Sequence, residues 1–373
     1  MENYQMIAKT LAGLENVLLA EIEALGGLNV EKRKRAVIFE GDDSLMIKSN
    51  LCLRTAISIL VPLFEFKASD EYELYNEIHA VQWEEIFGVN DTFAITATVS
   101  GTLFTHSQYV ALKTKDAMVD RFRKKFGKRP NVDVSNADYQ FNIHIQYDSC
   151  TISLNSSGDS LNRRGYRINS NEAPLNEVLA AGIILKSGWN KQDDFYDPMS
   201  GSGTFGIEAA LLAHNIAPGL NRHFGFQSWS DYNGDLFKEI HHEVKGQIYP
   251  KEVNIYCRDI LTENLEYIAQ NSEEIDVQQY LDIEREDFFF SSKIGEKGIL
   301  FFNPPYGERL EIDEINSFYK KIGDQLKQNY GNCEAWIISS NLEALKFFGL
   351  KPEARHQMFN GGLECKLNHY KLY

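Results

Sequence analysis

Cysteine is scarce and scattered: Cys52, Cys150, Cys257, Cys333 and Cys365 lie dozens of residues apart in a chain of 373, and no Cys-x-x-Cys pair occurs. That pattern excludes a zinc ribbon and a disulfide framework. Nine histidines show no ligand spacing, so no metal site is expected. No apolar run approaches the roughly eighteen residues of a membrane-crossing helix. The opening residues, MENYQMIAKT, lack a basic region followed by an apolar stretch, so export is not expected. No internal repeat is present. Positive charge is also in deficit, with 38 Lys and Arg against 53 Asp and Glu, a net charge of −15. Taken alone, that balance argues against a polyanionic partner. What remains is 43% hydrophobic and 24% charged, the composition of a globular protein rather than a disordered one. At about 150 residues per domain the length implies two or three domains. The expectation is a soluble, cytoplasmic protein with reduced thiols.

The charge deficit is uneven. Between Gly101 and Ser170 eleven basic residues face six aspartates, a local +5. The densest run, from Lys113 to Arg129, holds Lys113, Lys115, Arg121, Arg123, Lys124, Lys125, Lys128 and Arg129 against two acids. A second knot is Arg163, Arg164 and Arg167. Either could be no more than a solvated face. A basic module on an acidic chain is also what localised phosphate binding requires.

Three units emerge along the chain. Residues 1–60 read as strand (Tyr4–Ala8), helix (Leu14–Leu25, closed by Gly26-Gly27), strand (Ala36–Phe39) and a second helix from Asp42, a small ferredoxin-like α/β unit. Residues 61–157 carry strands at Thr92–Val99, Asn142–Gln146 and Cys150–Leu154. The basic helix lies among them, from near Ser107 to Gly127. The stretch Asn155–Asn171 is rich in Asn, Ser, Gly and Arg, which is loop chemistry and marks a boundary. Residues 163–373 alternate strands with helices: Phe195–Asp197, Val253–Cys257, Leu281–Glu284, Ile299–Phe302 and Ala335–Ser339. A final pair, Arg355–Phe359 and Leu363–Lys371, turns at Asn360-Gly361-Gly362. The pattern predicts an α/β fold with a doubly wound, Rossmann-like sheet ending in an antiparallel hairpin.

Two motifs carry chemistry. In Phe195–Leu211 an apolar strand ends at Asp197, followed by Gly201 and Gly203 and a helix opening near Thr204. Glycines admit a ligand close to the backbone, and the helix start offers free N–H donors. A dinucleotide fold would place an acid about twenty residues on. Here the next strand tip is Asp259, so a nicotinamide cofactor fits poorly. Asp-Pro before the glycines suits a ligand with a cation and an amino group, as in S-adenosylmethionine. In the second motif, the apolar strand Ile299–Phe302 delivers Asn303-Pro304-Pro305-Tyr306 to the carboxyl edge of the sheet. The prolines fix φ and stiffen the turn. The Asn303 side-chain oxygen and the Pro304 carbonyl can accept both hydrogens of an exocyclic base amine, and Tyr306 offers a face for stacking. Asn is no general base, so catalysis here would rest on positioning.

Together the motifs resemble class I S-adenosylmethionine-dependent amino-methyltransferases. More narrowly, the chain resembles the RlmL/YpsC family of 23S rRNA guanine-N2 methyltransferases nearly end to end. The resemblance also rests on residues 154–167 (LNSSGDSLNRRGYR), on Ala173-Pro174-Leu175-Asn176-Glu177, on Ala217-Pro218-Gly219-Leu220 and on Asn303–Leu310. It implies a ferredoxin-like domain, a THUMP RNA-binding domain and a methyltransferase domain. By the same resemblance, Asp197, Gly201 and Gly203 would line the methionine end of the cofactor, with Pro198, Ser200, Thr204 and Asn303 also among the cofactor-binding residues. Asp259 would hold the ribose and Asp287 the adenine amine. The chain departs from the family at Cys257-Arg258-Asp259-Ile260-Leu261, where Gly-Ser-Asp-x-Asp is usual. It departs again at Gln270–Glu274, where the usual Asn-Ala…Ala-Gly pattern is missing.

The leading expectation is methylation of a guanine N2 amine in 23S rRNA or a large-subunit precursor, the basic residues named above docking RNA. Two alternatives stay open. A DNA adenine-N6 methyltransferase would use Asn-Pro-Pro-Tyr equally well, and only the RNA-binding module makes DNA the poorer partner. The altered segment at Cys257 also allows an RNA-binding ribosome-assembly factor without turnover. Neither a membrane nor a metal is expected as partner.

Overall fold

The computed structural model describes residues 2–170, 174–305 and 312–373. The chain opens with β1 (Tyr4–Thr10), α1 (Glu15–Ala24), β2 (Leu28–Arg33), β3 (Ala36–Gly41), α2 (Asp43–Cys52) and β4 (Ala56–Lys67). β1 and β3 bury every second side chain, the period a one-sided sheet demands. α2 starts where the Asp42 carboxylate accepts the Leu45 N–H at 3.0 Å. The order is a complete β-α-β-β-α-β ferredoxin-like unit. It contains two strands the sequence did not disclose. β2 is an almost fully exposed edge strand without alternation. β4 runs twelve residues, straight through the expected break at residue 60.

After α3 (Glu71–Ala80) come β5 (Thr92–Ser100), α4 (Ser107–Phe126), β6 (Asn131–Val132), β7 (Tyr139–Gln146) and β8 (Ser149–Asn155). β4 pairs with β1 near its start and with β8 from Leu60 to Lys67. The first two units therefore share one eight-stranded sheet, ordered β2-β3-β1-β4-β8-β7-β5-β6.

The rest comprises α5 (Glu177–Ser187), β9 (Asp194–Asp197), α6 (Thr204–Ala213), α7 (Gly234–Gly246), β10 (Ile255–Asp259), α8 (Thr262–Glu273), β11 (Asp282–Arg285), β12 (Gly298–Phe302), α9 (Ile312–Asn329), β13 (Glu334–Ser339), β14 (Ala354–Asn360) and β15 (Leu363–Lys371). The strands form a seven-stranded sheet, β11-β10-β9-β12-β13-β15-β14. β9 to β13 are parallel, and β15 runs antiparallel to both its neighbours. β10 and β12 are buried along their whole length, as strands covered by helices on both faces must be. The chain leaves β9 toward β10 on one side and returns to β12 on the other. That makes the carboxyl end of β9 the switch point where open α/β sheets bind ligands.

The stretch between β8 and α5 is a loop, as its composition implies, but it is packed rather than a free linker. Ser156, Ser157 and Tyr166 are fully buried. Asn50 of α2 donates to the Ser156 hydroxyl at 2.9 Å and accepts from Ser157 Oγ at 2.6 Å. The two sheets also exchange core residues. Leu11 and Leu14 join the core around the parallel sheet. A Cβ on Gly182 of α5 would lie 2.5 Å from Leu14 Cδ1. In return Ala217, Phe224, Phe226 and, from α7, Ile240 and Val244 join the core of Met6, Leu18 and Phe39. Each large apolar side chain so buried contributes about 1.5–3 kcal/mol. Among the described residues, no helix is long and apolar enough to cross a membrane and no cluster of three or more His, Cys, Asp or Glu could hold a metal ion.

Candidate active site at the switch point

Asp197 ends β9 at 1% exposure. Its Oδ2 has no hydrogen-bond partner among the described residues. Burial, with the Asp259 charge nearby, pushes this carboxyl up to about 8. Pro198 and Ser200 follow, both buried, and Ser200 Oγ donates to the Asp197 carbonyl at 2.7 Å. Gly201 and Gly203 take φ of 53° and 84°, left-handed values that L side chains rarely adopt. α6 then begins at Thr204 with Gly203, which has no side chain to cap it, as its N-cap.

Asp259 ends β10 beside this loop. Its Oδ2 accepts the Gly201 N–H at 2.9 Å and its Oδ1 the Leu261 N–H at 3.0 Å. The unusual residues before it are accommodated. Cys257 lies under Gly206 of α6, where an added Cβ would sit 2.2 Å from its Sγ. Arg258 is buried among Asp282, Glu284 and Glu286, donating to Asp282 at 3.1 Å. Asp287 is half-buried and accepts the Phe289 N–H at 3.0 Å. Beyond β12, Asn303 is half-buried, Pro304 buried and Pro305 exposed. The turn is tied down by Tyr319 of α9, whose phenol lies 3.4 Å from the Pro305 carbonyl and 2.6 Å from Ser339 Oγ. Tyr306 and the following Gly307–Leu310 lie outside the described residues.

The basic residues divide sharply. Lys124, Lys128 and Arg129 are exposed and in no ion pair among the described residues. Arg123 is exposed and pairs with Asp120 at 3.1 Å, and Lys115 pairs with Asp116 at 2.8 Å. Arg121 and Lys125 both pair with Glu84 at 2.7 Å, and the Arg121 hydrogen bond holds the Glu84 carboxyl far below the carboxylate range. Lys113 lies over the rings of Tyr72 and Tyr75. Arg163 is exposed, 3.8 Å from Asp159.

Two of the expected RNA contacts are corrected. Arg164 is 3% exposed, donating to Glu208 at 3.4 Å and to the Leu161 carbonyl at 2.7 Å, so no phosphate can reach it. Arg167 is turned inward onto Glu177 at 2.8 Å and the glycine loop, not outward to solvent. Glu177 and Glu208 are the buried partners of these two arginines. Sequence reading also passed over Asn271, which is fully buried on α8 and donates to the Ser202 carbonyl at 3.1 Å. The only signal for it was one amide within a segment that departs from the usual pattern.

A glycine loop, two strand-end carboxylates and a stiff Asn-Pro-Pro turn thus meet at one sheet edge. The family model of an RMKL-like methyltransferase domain matches residues 164–369, more than half of the chain. The chain belongs to that family. A ferredoxin-like domain of the RlmL type matches residues 5–60 and a THUMP domain residues 68–155. A ribosomal RNA large subunit methyltransferase K/L of Syntrophotalea carbinolica is 36% identical over 96% of this chain and 52% of its own length. The chain therefore spans about half of that relative. A Synechocystis protein, named as a candidate RNA methyltransferase, is 35% identical over 98% of this chain and 96% of its own. A solved methyltransferase homologue in complex with S-adenosylhomocysteine superposes with a TM-score of 0.88 at 28% identity, over 100% of this chain and 99% of that one.

Proposed function

We propose that the chain is an S-adenosylmethionine-dependent RNA methyltransferase that methylates the exocyclic N2 amine of a guanine in large-subunit (23S) ribosomal RNA. The observation that carries this reading is the meeting of Asp197 and Asn303-Pro304-Pro305 at the switch point of a parallel sheet joined to a THUMP-bearing one. Three domains at 1–60, 61–157 and 163–373 would divide the work, the first two on their shared sheet.

The residues present fit the cofactor. The unpartnered, buried Oδ2 of Asp197 is where a cationic ligand group finds an acceptor. Both Asp259 oxygens already accept one backbone N–H each and keep a lone pair for a ribose hydroxyl. Asp287 stands at the next strand end for an adenine amine. S-adenosylmethionine supplies a sulfonium-bound methyl group. The chain's contribution is alignment. Asn303 Oδ1 and the Pro304 carbonyl accept the two amine hydrogens and so aim the nitrogen lone pair, while Tyr306 stacks on the base. The target amine is reached by taking the base out of its stack. Lys124, Lys128, Arg129 and Arg163, the most open of the basic residues, dock the phosphates.

The test is Asn303→Ala. It is expected to leave S-adenosylhomocysteine affinity, measured by calorimetry, within a few-fold of wild type and to abolish methyl transfer to RNA. Retained turnover would remove the proposed role of the turn.

A further inference from the structure

The loop after β8 ends against the glycine loop, and two side chains fasten them together. Arg167, 17% exposed at its side chain, distributes its guanidinium over four acceptors. Nε donates to Glu177 Oε1 at 2.8 Å, Nη1 to Ser202 Oγ at 3.0 Å, and Nη2 to the Leu175 carbonyl at 2.9 Å and Thr204 Oγ1 at 3.0 Å. Asn271 works from the other side. Its Oδ1 accepts the N–H groups of Ile168 and Asn169 at 3.0 and 3.1 Å, and its Nδ2 donates to the carbonyls of Asn169 and Ser202 at 2.9 and 3.1 Å. Ser202 is therefore held twice, by its hydroxyl and by its carbonyl, between two glycines with positive φ.

That arrangement has a physical purpose beyond packing. A Gly-x-Gly segment has large conformational freedom, and a ligand that must order it loses affinity accordingly. A planar fork with five donors can bridge two hydroxyls, a carbonyl and a carboxylate in one fixed geometry, which an ammonium cannot. Glu177, 7% exposed at its side chain, balances the charge and keeps the fork in place. The loop's hydroxyls are thereby fixed by a segment that continues directly from β8 of the N-terminal sheet.

We infer that Arg167, seconded by Asn271, is a positioning residue for the cofactor: it presets Ser202 and Thr204 so that the glycine loop is ordered before the ligand arrives. This rests on the reading of that loop as the S-adenosylmethionine site.

The test compares wild type, Arg167→Lys, Ser202→Ala and the double substitution. S-adenosylhomocysteine affinity is measured by calorimetry, KM for S-adenosylmethionine and for unmodified 23S rRNA by turnover, and folding by thermal midpoint. Arg167→Lys is expected to weaken S-adenosylhomocysteine about ten-fold and to raise KM for S-adenosylmethionine in step. KM for the RNA should stay at its wild-type value. Ser202→Ala should weaken binding less, and in the Arg167→Lys background it should weaken it little further, because both remove the same contact. Wild-type affinity in Arg167→Lys would overturn the inference. So would full additivity of the two substitutions, or a parallel loss of cofactor affinity, RNA affinity and thermal midpoint, the signature of a merely structural arginine. If Arg167→Lys does not fold, unchanged affinity in Ser202→Ala alone overturns it. Wild-type protein that fails to bind S-adenosylhomocysteine would instead overturn the site assignment beneath it.

Discussion

Gly206→Ala is a severe test of how the glycine loop is supported. Gly206 is in the first turn of α6, and a Cβ there would lie 2.2 Å from Cys257 Sγ, with the next atoms, Cys257 Cβ and Ile255 Cγ2, at 3.9 Å. One sulfur therefore accounts for the whole clash. Relief requires α6 to lift from β10 by more than an ångström, or the buried Cys257 to leave its rotamer. Overpacking of this kind costs about 1–3 kcal/mol. A lifted α6 would carry the glycine loop with it, so affinity for S-adenosylhomocysteine should fall together with stability. In the Gly206→Ala, Cys257→Ala pair the new methyl meets only atoms at ordinary contact distance. Urea midpoints and calorimetry on the two single variants and the pair should therefore show a favourable coupling of about 1–3 kcal/mol and recovered affinity. A Gly206→Ala protein as stable as wild type, or a double variant no better than the sum of the singles, would refute the reasoning.

Other expectations follow from the same geometry. Only ionised Asp197 attracts a cationic ligand, and its carboxyl stands at about 8, so its charged fraction grows as pH rises below that value. S-adenosylhomocysteine affinity should then increase about nine-fold from pH 6 to 7 and become flat and weaker in Asp197→Asn; a flat wild-type profile would contradict it. Replacing Lys124, Lys128 and Arg129 with glutamine should weaken RNA binding and reduce the slope of log affinity against log salt by about two. An unchanged slope would remove these residues from the interface. Arg164→Ala, by contrast, breaks a buried pair with Glu208 and should destabilise the fold by about 3–5 kcal/mol in denaturant titrations without changing the salt slope. A stable Arg164→Ala protein with a reduced slope would return Arg164 to the RNA.

The elements legible in the sequence are those with local causes. The buried runs around Phe195 and Ile299, the Gly201–Gly203 loop and the Asn360–Gly362 turn each have a signature within about ten residues. Asp197 and Asp259 meet because each ends a parallel strand, a regularity the alternation of strands and helices makes legible. What stayed hidden depends on partners distant in sequence. β2 gives no alternation because nearly all of it is exposed. Arg164 and Arg167 read as surface charge because their carboxylates, Glu208 and Glu177, are 44 and 10 residues away. The polar stretch after β8 reads as a linker because Ser and Asn have the same composition whether they face water or, as with Ser156 and Asn50, each other. Cys257 reads as a defect until Gly206 is seen above it.

The most direct test of the central claim is the identity of the methylated nucleoside. Purified protein would be given methyl-labelled S-adenosylmethionine with unmodified 23S rRNA and, in parallel, unmethylated DNA, and the products digested to nucleosides. The account predicts label in N2-methylguanosine from the rRNA and none in the DNA. Label in N6-methyldeoxyadenosine, or no label in RNA from a protein that binds S-adenosylhomocysteine, would contradict it.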